Sequence, residues 1–248
     1  MSGLDFHLDA TAHPRRALLR CGRPQTRWLM GRRWAVRVTG AEQVPSSGPI
    51  VVAANHIGVL DGPMLAIFTP RPVHALTKKE IFTGRMGRLL RATGQIPVDR
   101  YAADPGAVKT SLRVLRDGGA VGIFPEGARG AGDLQRFHHG AAYLALVTGA
   151  PVIPVTFVGT RTAGGHTDYV PPRGSSIDMA FGIPWHVVAQ PWPRTREQVL
   201  HASALLLQHM RETQQRALAH IGRPLPGPLP ATERELDPPT GFVERGAT

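Results

Sequence analysis

The spacing of apolar residues changes repeatedly along the chain, from unbroken runs to helical spacing and back. Ile50 through Ala54, introduced by Pro49, is an unbroken run of the kind a strand buried on both faces requires. It ends at Asn55-His56, and a helix is predicted from Asp61. Val73–Leu76 and Gln95–Val98 read as short strands. Between them a helix over 84–93 is expected to turn Met86, Leu89 and Leu90 inward. Asp104 before Pro105 is an N-cap with proline in the first helical position. Val108, Leu112 and Leu115 then share one face, and Gly118-Gly119 stop that helix. Ala120–Phe124 is a strand that runs straight into Pro125-Glu126-Gly127. A helix over 139–148, a strand over 152–158 and a helix over 196–219 follow, the last opened by a Thr195–Gln198 capping box. Alternating β and α predicts an α/β fold with a mostly parallel or mixed central sheet flanked by helices.

The two ends differ from this middle. Residues 1–14 read as loosely ordered, and 15–38 interleave Arg15, Arg16, Arg20, Arg27, Arg32 and Arg33 with Leu18, Leu19, Trp28, Leu29, Met30 and Trp34. Pro24 splits that stretch into two short helical pieces. Arginine, tryptophan and leucine together suit an interface between water and anionic lipid. The same pattern also fits an ordinary helix packed on the domain with its arginines in water. After Gly222 the chain is rich in proline, glycine and charge without an apolar period, which predicts a flexible tail. The expected organisation is therefore a basic, aromatic amphipathic segment over 1–34, a domain over 35–222 and a tail over 223–248.

The most apolar stretch, Ala141 to Gly159, approaches the length of a membrane span, but Gly149, Pro151 and Pro154 punctuate it. It reads as a helix, a turn and a buried strand, so membrane contact is expected to be peripheral. The N-terminus carries Asp5, His7 and Asp9 and lacks the apolar core of a secretory signal. That leads to an expected location in the cytoplasm or peripherally on the cytoplasmic face of a membrane.

Composition narrows the partners. Lys and Arg total 29 against 18 Asp and Glu, a formal charge of +11. This favours nucleic acid, a phospholipid surface or a phosphate-bearing substrate without choosing among them. No zinc-finger pattern and no aromatic–basic RNA-binding signature accompany the charge, which argues against nucleic acid. The single Cys21 excludes an intrachain disulfide and a multi-cysteine zinc site, and no histidine spacing recommends a metal.

Three polar clusters follow strands, where open α/β sheets place ligands. In the first, Asp61 lies five residues after His56 across a turn. It can accept from one imidazole nitrogen and leave the other as a general base. Spacing alone also fits a helix-capping Asp61 beside a turn histidine. In the second, Phe124-Pro125-Glu126-Gly127-Ala128-Arg129, glycine permits close backbone approach and Arg129 can grip a phosphate with two hydrogen bonds. Glu126 there can accept from an acceptor hydroxyl or hold an arginine. A loop with a surface Arg–Glu pair fits equally. In the third, Arg100 offers another phosphate contact, with Asp99 to orient it or simply to pair with it. Lys78, Lys79 and His138 are auxiliary candidates, as is Asn55.

Taken in order, these segments resemble the glycerolipid acyltransferases, the group that contains 1-acylglycerol-3-phosphate acyltransferase. The blocks are Asn55-His56 with Asp61, Gly94 through Arg100, Phe124 through Arg129, and Val152-Ile153-Pro154-Val155, within residues 35–190. The resemblance implies the glycerolipid acyltransferase fold and an O-acyltransferase of phospholipid biosynthesis. It implies acyl transfer from acyl-CoA or acyl carrier protein to the free hydroxyl of 1-acylglycerol 3-phosphate. It also implies His56 as base, Asp61 as its orienting partner, and phosphate binding by Arg100 and Arg129 helped by Glu126 and Gly127. No metal, cofactor or covalent acyl-enzyme is implied. The alternative acceptors are glycerol 3-phosphate, another lysophospholipid or a lipid amine, and the non-enzymatic alternative is a membrane-surface protein on a decayed fold. Three departures stand out: Gly130 replaces the usual serine, His138 and His139 stand where lysines are common near Phe137, and extended apolar N-terminal helices are absent.

Overall fold

The computed structural model describes residues 9–15, 17–233 and 241–243, the last by backbone alone. Expectations for residues 1–8, Arg16, 234–240 and 244–248 lie outside the described residues. Two short helices, α1 (Ala17–Cys21) and α2 (Arg23–Arg33), lead into β1 (Ala35–Thr39). Pro24 sits in the first turn of α2, where it lacks only an amide that has no partner anyway. There follow β2 (Ile50–Ala54), α3 (Asp61–Phe68), β3 (Val73–Lys78), α4 (Gly84–Ala92), β4 (Ile96–Val98), α5 (Pro105–Arg116) and β5 (Ala120–Ile123). The rest comprises β6 (Arg136–His138), α6 (Gly140–Thr148), β7 (Val152–Val158), β8 (Ser176–Phe181), α7 (Arg196–Ile221) and β9 (Gly241–Val243).

Seven strands form one mixed sheet in the order β1-β8-β7-β2-β5-β3-β4. β7, β2, β5, β3 and β4 run parallel, and β8 pairs antiparallel with β7 while β1 follows β8. The two faces are separated residue by residue along β2. Val51 and Ala53 pack into a core with α5, α6 and α7, and Ile50, Val52 and Ala54 into a second core with α2 and α3. This alternation is the period-2 geometry of a strand covered on both sides. The expected caps form: Asp104 accepts from the Ala107 amide, and Thr195 and Gln198 close a reciprocal box.

Three expectations are corrected. Met86 and Leu89 are 54% and 51% exposed, not inward. Helix α4 approaches the domain through Gly87, where a Cβ would lie 2.2 Å from the Phe82 carbonyl carbon, so the small-residue side faces in and the bulky residues face out. Residues 223–233 are packed rather than loose. Arg223 bonds the Ser176 carbonyl and pairs with Asp178, and Leu229 is buried. Residues 9–15 are likewise tied down in part, by an Asp9–Arg116 ion pair and an edge-on contact of His13 with His74. Strands β1, β8 and β6 were not expected. Buried Asp178, held by Arg37 at 2.6 Å and by Arg223 at 3.3 Å, interrupts the apolar run that would mark β8.

Candidate active site

Adjacent parallel strands β7, β2 and β5 deliver Thr160, His56 and Glu126 to one end of the sheet. His56 leaves β2, and Asp61 opens α3 five residues later. His56 Nδ1 stands 2.8 Å from Asp61 Oδ2, which also accepts the amides of Ile57 at 2.7 Å and Gly58 at 2.8 Å. The Thr160 hydroxyl donates to the other carboxylate oxygen. Asp61 is fully buried, so these four donors replace the water its charge has lost. The helix N-terminus adds a favourable field. With Nδ1–H committed to Asp61, the lone pair of the neutral ring resides on Nε2. The His56 ring stacks on Phe124, centroids 4.2 Å apart, and its side chain keeps 20% exposure. Of the two readings left open by spacing, the structure has the paired one: Asp61 braces the turn and the imidazole together.

Glu126 departs from its expected role. Its carboxyl turns under the site, where Oε1 accepts the His56 amide at 2.9 Å, and it is buried. Because β5 neighbours β2, this side chain reaches the His56 backbone. Burial pushes its pKa up to about 8, opposed by the His56 amide and reinforced by Asp133 and Asp61. It is therefore mostly protonated at neutral pH and leaves Gly127 and Arg129 free of an adjacent negative charge. The folded state keeps a proton that the unfolded chain releases near pH 4.5. The group's stabilisation is thus full below that value and is lost as pH rises towards 8. Glu126→Gln should remove this dependence. Melting temperatures taken from about pH 6 to about pH 9 are expected to fall more steeply in wild type than in the variant.

The cationic candidates divide. Arg100 donates to the Gly127 carbonyl at 2.9 Å, which joins the second and third blocks. Gly127 has φ of 71°, and a Cβ there would meet His138 Nε2 at 2.5 Å, so Arg100, Gly127 and His138 form one cluster. Arg129 bonds the Thr167 carbonyl at 2.7 Å and the largely exposed Asp168 at 3.1 Å. Asp99 pairs with Lys79 instead of orienting Arg100, because β3 and β4 are neighbours and end together. Lys78 ends β3 and is half-buried. Asn55 is a structural brace: its side chain exchanges hydrogen bonds with the Phe157 backbone at 3.1 and 2.7 Å, extending the β2–β7 ladder. His139 contacts Ser203 at 3.0 Å, and burial lowers its pKa. No cluster of three metal-ligating side chains occurs among the described residues.

Arg161 escaped the sequence reading. It is 2% exposed and donates to the carbonyls of Ile57 at 2.7 Å, Gly130 at 2.7 Å, Gly227 at 2.6 Å and Gly165 at 3.3 Å. One guanidinium thus ties the His56 turn, the loop after Arg129, the loop after β7 and the C-terminal segment. Burial lowers its pKa, and Asp61 and Glu233 oppose that shift. Glu233 in turn accepts from the Thr167 amide and hydroxyl, each at 2.6 Å, and contacts His166. A cavity of about 410 Å³ lies beside Arg161, with Arg223, Pro224, Leu225 and Pro226 as one wall. The signal that flags His56 and Glu126, polar residues directly after a buried strand, also flags Gly159-Thr160-Arg161 after β7.

Comparison with known proteins agrees with this arrangement. A family profile described as "Acyltransferase" matches residues 35–158. The 1-acyl-sn-glycerol-3-phosphate acyltransferase of Bacillus subtilis is 32% identical over 133 residues, covering 53% of this chain and 66% of that protein. The protein of the same name from Borreliella burgdorferi is 33% identical over 139 residues, 54% of each chain. The matched segments thus span about half to two thirds of these relatives' length. The crystal structure of the 1-acyl-sn-glycerophosphate (LPA) acyltransferase of Thermotoga maritima superposes with a TM-score of 0.58 at 19% identity. That match covers 88% of this chain and 81% of that one, and it establishes a common fold.

Proposed function

The chain belongs to the glycerolipid acyltransferase family, and from that premise we propose that it transfers a fatty acyl group from an acyl-CoA or acyl carrier protein thioester to a lysophospholipid hydroxyl. The acceptor we assign is 1-acylglycerol 3-phosphate. The observation that carries the reading is the His56–Asp61 pair, at 2.8 Å. His56 Nε2 removes the hydroxyl proton as the acceptor oxygen attacks the thioester carbonyl. The new C–O bond forms, the tetrahedral intermediate collapses, the C–S bond breaks, and the imidazolium returns the proton to the departing thiolate. Asp61 holds the tautomer and stabilises the imidazolium.

Arg100 and Arg129 bind the acceptor phosphate. Arg129 exchanges its contact with the largely exposed Asp168 for the phosphate while the Thr167 carbonyl keeps the guanidinium in place. Gly127 lets the backbone approach closely. Glu126 supports the His56 amide from below.

The test is free-thiol release and product analysis with a long-chain acyl-CoA. The acceptors are 1-acylglycerol 3-phosphate, glycerol 3-phosphate, a second lysophospholipid and a lipid amine. Acceptor-dependent release with a diacylglycerol phosphate product is expected for the first. Transfer only to another acceptor would overturn the acceptor assignment. Silence on all four, with acyl carrier protein donors as well, would overturn the enzyme reading.

A further inference from the structure

Arg129 is held at its root and at its tip. At the root, the Gly130 amide donates to the His56 carbonyl at 2.9 Å, and the Gly130 carbonyl accepts from Arg161 at 2.7 Å. At the tip, the guanidinium donates to the Thr167 carbonyl at 2.7 Å. A long side chain loses rotamer freedom when it grips a phosphate, and a fork already aimed loses less. What fixes Thr167 therefore bears on how well Arg129 binds.

Thr167 lies in the connection between β7 and β8, without a helix or strand to place it. That connection is pinned on both sides of Thr167. The Gly165 carbonyl accepts from Arg161 at 3.3 Å, the Pro171 carbonyl accepts from the Trp34 indole at 2.9 Å, and the Gly174 amide donates to the Arg33 carbonyl at 2.7 Å. Between these points the partner is Glu233. One carboxylate oxygen accepts the Thr167 amide and hydroxyl, each at 2.6 Å, and the other contacts His166. The hydroxyl, then the amide and His166, hold the Glu233 pKa down to about 2, so the group is ionised throughout the neutral range.

Glu233 is itself anchored. It ends a single 3-10 turn, Ala231–Glu233, whose last amide donates to the Pro230 carbonyl at 2.9 Å. Buried Leu229 and the bond from Arg161 to the Gly227 carbonyl seat the residues before that turn. Thr167 thus has its donors on Glu233 and its carbonyl on Arg129. We propose that Glu233 is a positioning residue for acceptor recognition, fixing Thr167 and through its carbonyl aiming Arg129 at the acceptor phosphate.

This assignment rests on the phosphate-acceptor reading and deepens it. The segment after α7 then serves both halves of the site. Gly227, through Arg161, supports the turn that carries His56, and Glu233, through Thr167, supports the phosphate ligand.

Two measurements on the full chain test it: steady-state transfer with 1-acylglycerol 3-phosphate varied at saturating long-chain acyl-CoA, and calorimetric titration of 1-acylglycerol 3-phosphate, below its aggregation concentration, without donor. Glu233→Ala is expected to raise the acceptor KM and Kd about tenfold. Its kcat and donor KM should stay within about twofold of wild type. Glu233→Gln should bring both acceptor constants back to within about threefold, because its amide oxygen still accepts from Thr167. In an Arg129→Met background, Glu233→Ala should add nothing to Kd, since no guanidinium remains to be aimed. A lower kcat at unchanged KM, or the same rise in Kd with and without Arg129, would overturn the assignment. Wild-type transfer with neither acceptor constant moved by Glu233→Ala would overturn it as well and leave the function standing. Binding that weakens as expected in Glu233→Ala, from a wild type that transfers no acyl group, would overturn the enzyme reading and leave the positioning role standing.

Discussion

His56→Ala is expected to lower acceptor-dependent thiol release about 10²–10⁴-fold, the range a positioned general base supplies. Its fold should persist, because the ring is partly exposed and Asp61 keeps the Ile57 and Gly58 amides and the Thr160 hydroxyl. Asp61→Asn separates orientation from basicity. The amide retains one acceptor oxygen but turns an NH₂ towards a donor, either the Thr160 hydroxyl or the cluster at His56, Ile57 and Gly58. Activity should fall comparably, about 10³–10⁴-fold, with a loss of melting temperature that His56→Ala does not show. Single-turnover transfer and thermal unfolding of both variants check this. Wild-type rates in His56→Ala would remove His56 as base whatever the acceptor.

Arg161→Met should be nearly as damaging by another route. It strips donors from four carbonyls, three of them bonded at 2.6–2.7 Å. Orphaned buried acceptors cost about 1–3 kcal/mol each before relaxation and water entry, so a net loss on the order of 4 kcal/mol is expected. For a chain of this size that lowers the melting temperature by roughly 10 °C. The Ile57 carbonyl is one residue from the base, so turnover should drop even far below the melting range. Arg161→Lys keeps the charge without the fork and should recover less than half the stability. Amide exchange at Ile57 and Gly58 gives an independent reading, expected to accelerate in Arg161→Met. Turnover that merely tracks the folded fraction would reduce Arg161 to a stability residue.

The site was legible where chemistry and local geometry coincide. His56 and Asp61 share a turn, and Asp104 and Thr195 write their helix starts into adjacent residues. Glu126 was legible as a site residue but not in its role, because its direction is set by the pairing of β5 with β2, a contact 70 residues long in sequence. Arg161 carries the same polar-after-strand signal, but its role was hidden for the same reason, since its acceptors lie 104, 31, 4 and 66 residues away. Met86 and Leu89 mislead in a different way. Helical spacing fixes which residues share a side of α4, but not which side meets the domain. Gly87 decides that through its approach to Phe82. The tail composition of 223–233 was read as disorder because proline removes helical period, yet those residues need no helix to offer carbonyls and carboxylates to the loops above.

The bond from Arg161 to Gly227 has a consequence for synthesis. Residues that supply the base, its partner and the Glu126 support are all made by the time Arg161 is translated, but the Gly227 carbonyl follows 66 residues later. At about 5–20 residues per second, the nascent chain waits roughly 3–13 s for that brace. Until then the guanidinium has only the Ile57, Gly130 and Gly165 carbonyls, so the C-terminal segment is the last of the four to be tied to it.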